Sequence, residues 1–339
     1  MSSRAERRYI RQELLREIGP DGQRKLSEKK VAVVGCGALG SVAAVLLARM
    51  GIGALVLIDR EYVEWDNLHR QLYDEADAAE GVPKAIALKE KLEKANSEVS
   101  VEARPVDLNH ANVESLLRGS DLVVDGTDNM ETRFLVNDYA VKSKTPWVYG
   151  AAVATYGVVM SIVPEETACL RCVIPNLPPP GSVPTCETVG VLPTLTVLVA
   201  TLQATEAVKI LLGKPYAKNE MLVVDPWYGE FSKLKVRRNP RCKTCSLKEF
   251  EYLEGKVTKA TSLCGRNTVQ VLPPRGITLN LESLARRLER LGRVRLTRYV
   301  LFFEDGRYEI AVFLDGRAII KGVEGEEEAR SVYTRYIGL

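Results

Sequence analysis

The sequence predicts an α/β protein: a doubly wound, mostly parallel sheet carrying an extension, followed by a small C-terminal α+β domain. Three observations carry that prediction. A short apolar run, Val31-Ala32-Val33-Val34, feeds directly into the glycine-rich turn Gly35-Cys36-Gly37-Ala38-Leu39-Gly40. Short apolar runs then alternate with helical stretches as far as about Gly150, the pattern of parallel strands joined by crossover helices. Beyond residue 257 the pattern changes to extended runs broken by Asp-Gly turns. The 339 residues suit about two domains.

Taken in order, residues 4–18 read as a short helix ended by Gly19-Pro20, the core of an N-terminal helical arm over 1–28. Strands are expected at 31–34 and 55–58, an amphipathic helix at 84–94, and a third strand at 99–103. A helical turn at 113–117, a strand at 122–124, a helix at 132–141 and a strand at 147–149 complete the alternation. After Gly150 come a strand at 157–163 and a proline-rich loop at 175–184 with five prolines and a glycine. The apolar stretch 191–212 carries Gln203, Glu206 and Lys209 at helical spacing, so it reads as a buried helix rather than a membrane span. Strands at 222–224 and 231–236 close a domain spanning 29–250. In the domain spanning 257–339, Leu281, Leu284, Leu288 and Leu291 mark one helix face. Asp305-Gly306 and Asp315-Gly316 turn a three-stranded meander whose middle strand alternates Tyr308, Ile310, Val312, Leu314. A helix at 326–336 ends the chain.

Net charge is +3 with acids and bases interspersed, which argues against a nucleic-acid footprint. The charged, helix-like start carries no signal-peptide pattern, so a cytoplasmic protein without a membrane partner is expected. Seven cysteines in such a chain favour metal binding or thiol chemistry over disulfides.

The glycine turn lets backbone approach phosphate oxygens at a helix N-terminus, and Asp59 ends the next strand where it can accept from ribose hydroxyls. That is a Rossmann-like nucleotide cradle, and by itself it fits NAD or ATP equally. Asp66-Asn67-Leu68-His69-Arg70-Gln71 discriminates between them. Arg70 can pair bidentately with phosphates, and Asn67 and Gln71 add neutral hydrogen bonds, a grip suited to a triphosphate. Lys84 opens the next helix and can reach the β- and γ-phosphates, although a surface lysine in a first helical turn is common. In Asp125-Gly126-Thr127-Asp128-Asn129, Asp128 is the expected Mg²⁺ ligand and Asp125 a structural or capping acid. Cys169-x-x-Cys172 and Cys242-x-x-Cys245 suit a tetrahedral structural Zn²⁺ that staples two distant segments, against redox pairs or buried free thiols. Cys186, on the proline-rich loop, is either a nucleophile or an inert loop cysteine. Cys36 reads as packing, and Cys264 as packing or thiolate. Two histidines, His69 and His110, make His-based acid–base catalysis improbable.

Together these motifs resemble the ThiF/MoeB family of ubiquitin-activating-type adenylyltransferases. The resemblance rests on Arg8-Tyr9-x-Arg11-Gln12, Gly35, Gly37 and Gly40, Asp59, Asn67-Leu68-His69-Arg70-Gln71, Lys84, Thr127-Asp128-Asn129, both cysteine pairs, and Cys186 before Gly190-Val191. It implies a homodimer that uses Mg·ATP to adenylate the C-terminal glycine of a small ubiquitin-like sulfur carrier ending in Gly-Gly, releasing pyrophosphate. A sulfur donor such as a cysteine desulfurase would act next. Asp59 would hold the ribose, Asn67, Arg70, Gln71 and Lys84 the phosphates, and Asp128 the magnesium. Arg11 would reach the neighbouring subunit's site as an arginine finger. The cysteine matching Cys186 links to the carrier or carries sulfur in some relatives and is dispensable in others. The tail has no recognised rhodanese loop. The competing readings are adenylation of a small molecule or tRNA base, an NAD-dependent oxidoreductase, and an inactive half of a heterodimer.

Overall fold

The computed structural model describes residues 8–179, 182–256, 262–263, 268–273 and 278–338, so Cys264 lies outside the described residues. The chain forms two compact units. One comprises Met1–Glu61, Trp65–Asp74 and Pro83–Val257; the other comprises Tyr62–Glu64, Glu75–Val82 and Thr258–Leu339.

The first unit runs α1 (Ile10–Glu13), α2 (Gly19–Ser27), β1 (Lys30–Val34), α3 (Ala38–Arg49) and β2 (Ala54–Ile58). After α4 (Glu75–Glu80), which belongs to the second unit, come α5 (Lys84–Ala95), β3 (Ser100–Arg104), α6 (Val113–Leu117), β4 (Leu122–Asp125) and α7 (Met130–Ser143). The remainder is β5 (Trp147–Val153), β6 (Tyr156–Ile162), α8 (Leu170–Val173), α9 (Cys186–Val189), α10 (Pro193–Leu212), β7 (Glu220–Asp225) and β8 (Glu230–Lys235).

The strands form one sheet in the order β3-β2-β1-β4-β5-β6-β7-β8. The first five are parallel, with Val31 paired to Leu55 and to Leu122; β5 to β8 are antiparallel. In β1, β2 and β4 almost every residue is buried, which explains their unbroken apolar runs. Gly19-Pro20 does not end a helix as expected; it starts α2, because proline's fixed φ and missing N–H suit a first helical turn.

Helix α10 is the one helix among the described residues long and apolar enough to cross a membrane, and half of that stretch is buried in the fold. Its inner face carries Leu195, Val199, Gln203 and Glu206, whereas Val197 is 46% exposed, so it is buried on one side only. Glu206 is satisfied there by Ser161 Oγ, Ala217 N and Lys209 Nζ at 3.0, 2.7 and 2.6 Å.

The second unit contains β9 (Ser262–Leu263), β10 (Thr268–Val271), α11 (Leu281–Leu288), β11 (Arg293–Leu296), β12 (Val300–Glu304), β13 (Glu309–Phe313), β14 (Ala318–Lys321) and α12 (Glu326–Tyr336). Its sheet is antiparallel, ordered β11-β12-β13-β14-β10-β9, so the expected meander is the middle of a six-stranded sheet. Leu284, Leu288, Ile310, Val312, Ile320, Val332 and Tyr333 build the core on the helical face. Leu291 falls beyond α11 and is exposed. The simple alternation expected for β13 fails, because Ala311 and Phe313 are buried as well as Ile310 and Val312.

Candidate active site

The first unit gathers its polar side chains at the carboxyl edge of β1, β2 and β4, where an open parallel sheet binds ligands. Gly35, at φ 84°, turns the chain from β1 into α3. A Cβ on Gly40 would stand 1.8 Å from the Gly35 carbonyl oxygen, and one on Gly126 would stand 2.3 Å from the same atom. The glycines therefore exist for close backbone packing: the loop 35–40 lies flat against the end of β4. Gly37 precedes α3, and Gln71 Nε2 lies 3.9 Å from where its Cβ would be.

Asp59 closes this corner. Its carboxylate accepts from Cys36 N at 2.6 Å and Glu61 N at 2.7 Å, which ties the glycine loop to the end of β2. Burial holds the Asp59 carboxyl above its ordinary range, and Lys84 opposes that. Lys84 is buried and donates to Glu61 Oε2 at 2.6 Å. Burial alone would lower its pKa, but Glu61 and Asp59 outweigh it, and the ammonium is held above the ordinary lysine value. Its carbonyl and that of Cys36 both accept from Tyr73 Oη.

Asn67 and Gln71 are buried, while Arg70 is partly exposed and donates to the Asp66 carbonyl at 2.7 Å. Gln71 Oε1 is buried with no hydrogen-bond partner among the described residues.

Two acids follow β4, and they differ. Asp125 is buried and accepts from Arg133 Nε at 3.0 Å and from Thr127 N and Oγ1 at 2.9 and 2.7 Å. Burial raises its pKa and Arg133 pulls it back. Arg133 also donates to Gly150 O at 2.9 Å, and Gln203 Nε2 donates to Asp125 O at 2.7 Å. Asp128 is exposed, and its charge acts on Lys84, Arg133 and Cys186. Arg133, Gln203, Tyr73 and Glu61 form this frame; the sequence marks Gln203 only as a polar residue on the buried helix and gives the other three no role. The one hint for Arg133 was a charge directly before the apolar run Phe134-Leu135-Val136.

Cys186 starts the four-residue helix α9, which Thr185 caps. Its Sγ donates to Ala152 O at 3.2 Å. Burial and Asp128 raise its pKa more than Arg70 and Arg133 lower it, so in this conformation it is a thiol.

Arg11 is exposed in α1 and stands apart from this group. Its neighbour Gln12 donates to Met50 O at 2.9 Å, and Asn96 Nδ2 donates to Tyr9 Oη at 2.7 Å. The arm is thus docked at the C-terminal end of α3. That end lies ~18 Å from the glycine loop at the helix's other end.

Cys169, Cys172, Cys242 and Cys245 place their sulfurs within 4.8 Å of one another. Individual separations of 4.0, 3.5 and 3.4 Å bracket the edge of a tetrahedron drawn around a metal with ~2.3 Å metal–sulfur bonds. Asn239 N donates to Cys172 Sγ at 3.4 Å, the kind of outer contact that orients a thiolate ligand. The donor set fits a closed metal site.

The sequence profile of the ThiF family matches residues 9–244. A sulfur carrier protein ThiS adenylyltransferase of Bacillus subtilis is 39% identical over 336 residues, covering 98% of this chain and 99% of that protein. A sulfur carrier protein adenylyltransferase of Thermus thermophilus is 44% identical over 246 residues, 70% of this chain and 90% of that protein. A crystal structure of E. coli MccB with ATP is similar with a TM-score of 0.58 at 26% identity, covering 66% of this chain and 68% of that one. From the N-terminal arm to the second cysteine pair, this chain belongs to the ThiF family.

Proposed function

We propose that the protein is an ATP-dependent adenylyltransferase that activates the C-terminal glycine of a ubiquitin-like sulfur carrier protein. The observation that supports this best is the convergence, at one sheet edge, of a glycine loop, Asp59, Lys84, the buried unpartnered Gln71 Oε1 and the exposed Asp128. An NAD site needs the first two but not a cation and amides beyond them.

In this reading Asp59 holds the ribose, and Asn67, Arg70, Gln71 and Lys84 hold the phosphates. Magnesium bound through Asp128 would neutralise phosphate charge. The carrier's carboxylate, already ionised at neutral pH, attacks the α-phosphorus. Its oxygen forms the new P–O bond as the bond to pyrophosphate breaks, so no general base is needed, and the chain's task is alignment and charge compensation. Arg11 sits a helix length from its own site and serves the partner's site in a cytoplasmic homodimer. The exposed apolar side chains Leu14, Leu15 and Val197 suit such an interface. Zinc fills the four-cysteine cluster as a structural ion. Cys186 engages the activated carrier only after its thiol is deprotonated, and a cysteine desulfurase supplies the sulfur.

Carrier-dependent ATP–pyrophosphate exchange tests the reading. Exchange with a carrier ending in Gly-Gly, and its loss when the terminal glycine is removed, is the expected result. Exchange driven equally by a small carboxylic acid would replace the carrier with a small-molecule substrate.

A further inference from the structure

The second unit does not begin at residue 258. Two earlier segments, Tyr62–Glu64 and Glu75–Val82, fold with it. They cover the sheet face opposite α11 and α12. Tyr62 joins Val300, Ala311, Phe313 and Ile319 in a second small core. Its ring meets Phe302 edge-on at 5.3 Å and Phe313 at 6.0 Å. Gly81, at φ 60°, lies so close to Phe302 that a Cβ there would be 2.5 Å from the ring. Lys321 pairs with Glu64 at 2.5 Å, and Arg295 donates to Ala79 O at 2.6 Å. Val63 N donates to Val82 O at 2.9 Å, which closes the two segments on each other.

Between these two anchored segments the chain runs through Trp65–Asp74, which contains Asn67, Arg70 and Gln71. Lys84 follows the second segment by two residues. Both ends of the phosphate-gripping loop are therefore joined through the backbone to segments that fold with the C-terminal sheet, which fixes the separation of those ends.

We infer that the C-terminal unit is a positioning element for that loop: by fixing the separation of its two ends it narrows the conformations open to Asn67, Arg70 and Gln71. The inference rests on the proposed ATP site. A loop with fixed ends explores fewer conformations, and pre-organisation of this kind appears as ligand affinity. Coupling is reciprocal, so bound ATP must stabilise the tail as much as the tail favours ATP.

The test uses the full-length chain with Phe302→Ala, Lys321→Ala and, as a control on the exposed far side, Arg290→Ala. Hydrogen exchange of the nucleotide-free proteins is measured first. Amides of Trp65–Asp74 should exchange faster in Phe302→Ala and Lys321→Ala, and at the wild-type rate in Arg290→Ala. ATP binding is then measured by calorimetry. If the competent loop conformation falls to about a tenth of the population, the Kd for ATP rises about tenfold. KM for ATP should rise in step with little change in kcat, a split that general destabilisation does not produce. In the wild type, ATP should slow exchange in Val300–Glu304 and Ala318–Lys321. If Phe302→Ala does not fold, Lys321→Ala carries the test alone. Unchanged protection of Trp65–Asp74 in the folded variants overturns the inference, whatever becomes of ATP. A wild-type chain that binds no ATP overturns the proposed site instead, and the nucleotide-free exchange data still decide this one.

Discussion

Replacing Lys84 with methionine probes the electrostatics of the site most directly. The change keeps a flexible stem and deletes the ammonium 2.6 Å from Glu61 Oε2. It leaves the Asp59 carboxylate, fixed by Cys36 N and Glu61 N, beside Glu61 without that cation. Two unit charges about 4 Å apart interact by ~4 kcal/mol at an effective dielectric of ~20. Glu61 keeps 38% of its side-chain exposure, so solvent screening reduces the expected loss of stability; we take about 2 kcal/mol. The pH dependence has a definite sign. Burial already raises the Asp59 pKa, and Lys84 restrains it; without the lysine it rises further. A carboxyl whose folded pKa exceeds its unfolded value costs stability above the folded pKa, and that cost fades as the pH falls toward the unfolded one. Urea unfolding of Lys84→Met should therefore show a deficit of ~2 kcal/mol near pH 8 and a clearly smaller one near pH 5. Pyrophosphate exchange should fall ~10²–10³-fold. An equal deficit at both pH values would mean lost packing rather than unpaired charge, and would refute the reasoning.

Arg11→Ala and Asp128→Ala should each abolish exchange, yet an equal mixture of the two should regain about a quarter of wild-type activity through mixed dimers; no recovery would rule out action across the subunit interface. Cys172→Ser should reduce the zinc measured by mass spectrometry of the native protein and lower the melting temperature, whereas unaltered zinc content would place the metal elsewhere. Gly126→Ala should cost ~1–3 kcal/mol and weaken ATP binding, because its methyl would meet the Gly35 carbonyl 2.3 Å away; a variant with wild-type stability would mean the loop yields. Cys186→Ser should retain adenylation, and iodoacetamide should label Cys186 of the wild type slowly near pH 7, since burial keeps it a thiol; fast labelling would contradict that.

Much of the first unit was legible because its signals are local. Strands β1, β2 and β4 are apolar runs bounded by glycine or aspartate, and α6 and α12 fall where periodicity placed them. Strand direction after Gly150 was not legible. The β5–β6 hairpin turns at Ala154-Thr155 with Ala154 at φ 50°, and neither residue carries a turn signal. The second face of the C-terminal sheet was hidden for a different reason. Its cover comes from Tyr62 and Gly81, more than 200 positions earlier, and period-2 patterning reports only whether a residue is buried, never by what.

At the site the same division has a chemical consequence. Gly35, Asp59 and Lys84 stand out as candidates through residue type and position at strand and helix ends. The frame behind them does not: Gln203 reaches Asp125 O from 78 residues away, and Arg133 sits inside a helix that looks apolar. Yet that frame decides which acid can serve a ligand. In Asp125-Gly126-Thr127-Asp128 one acid ends β4 and the other follows three residues later, and the structure supplies the physical reason for assigning them different roles. Asp125 has its charge matched by Arg133 and its remaining lone pairs taken by Thr127, so binding a cation there would mean breaking a buried ion pair, at ~3–5 kcal/mol. Asp128 is exposed three residues on, within electrostatic reach of Lys84. In the proposed reading Arg133 thus does for Asp128 what no property of Asp128 itself could do: by matching the charge of Asp125 it leaves Asp128 as the acid of this pair that would be free to meet a Mg²⁺ ion with its phosphates.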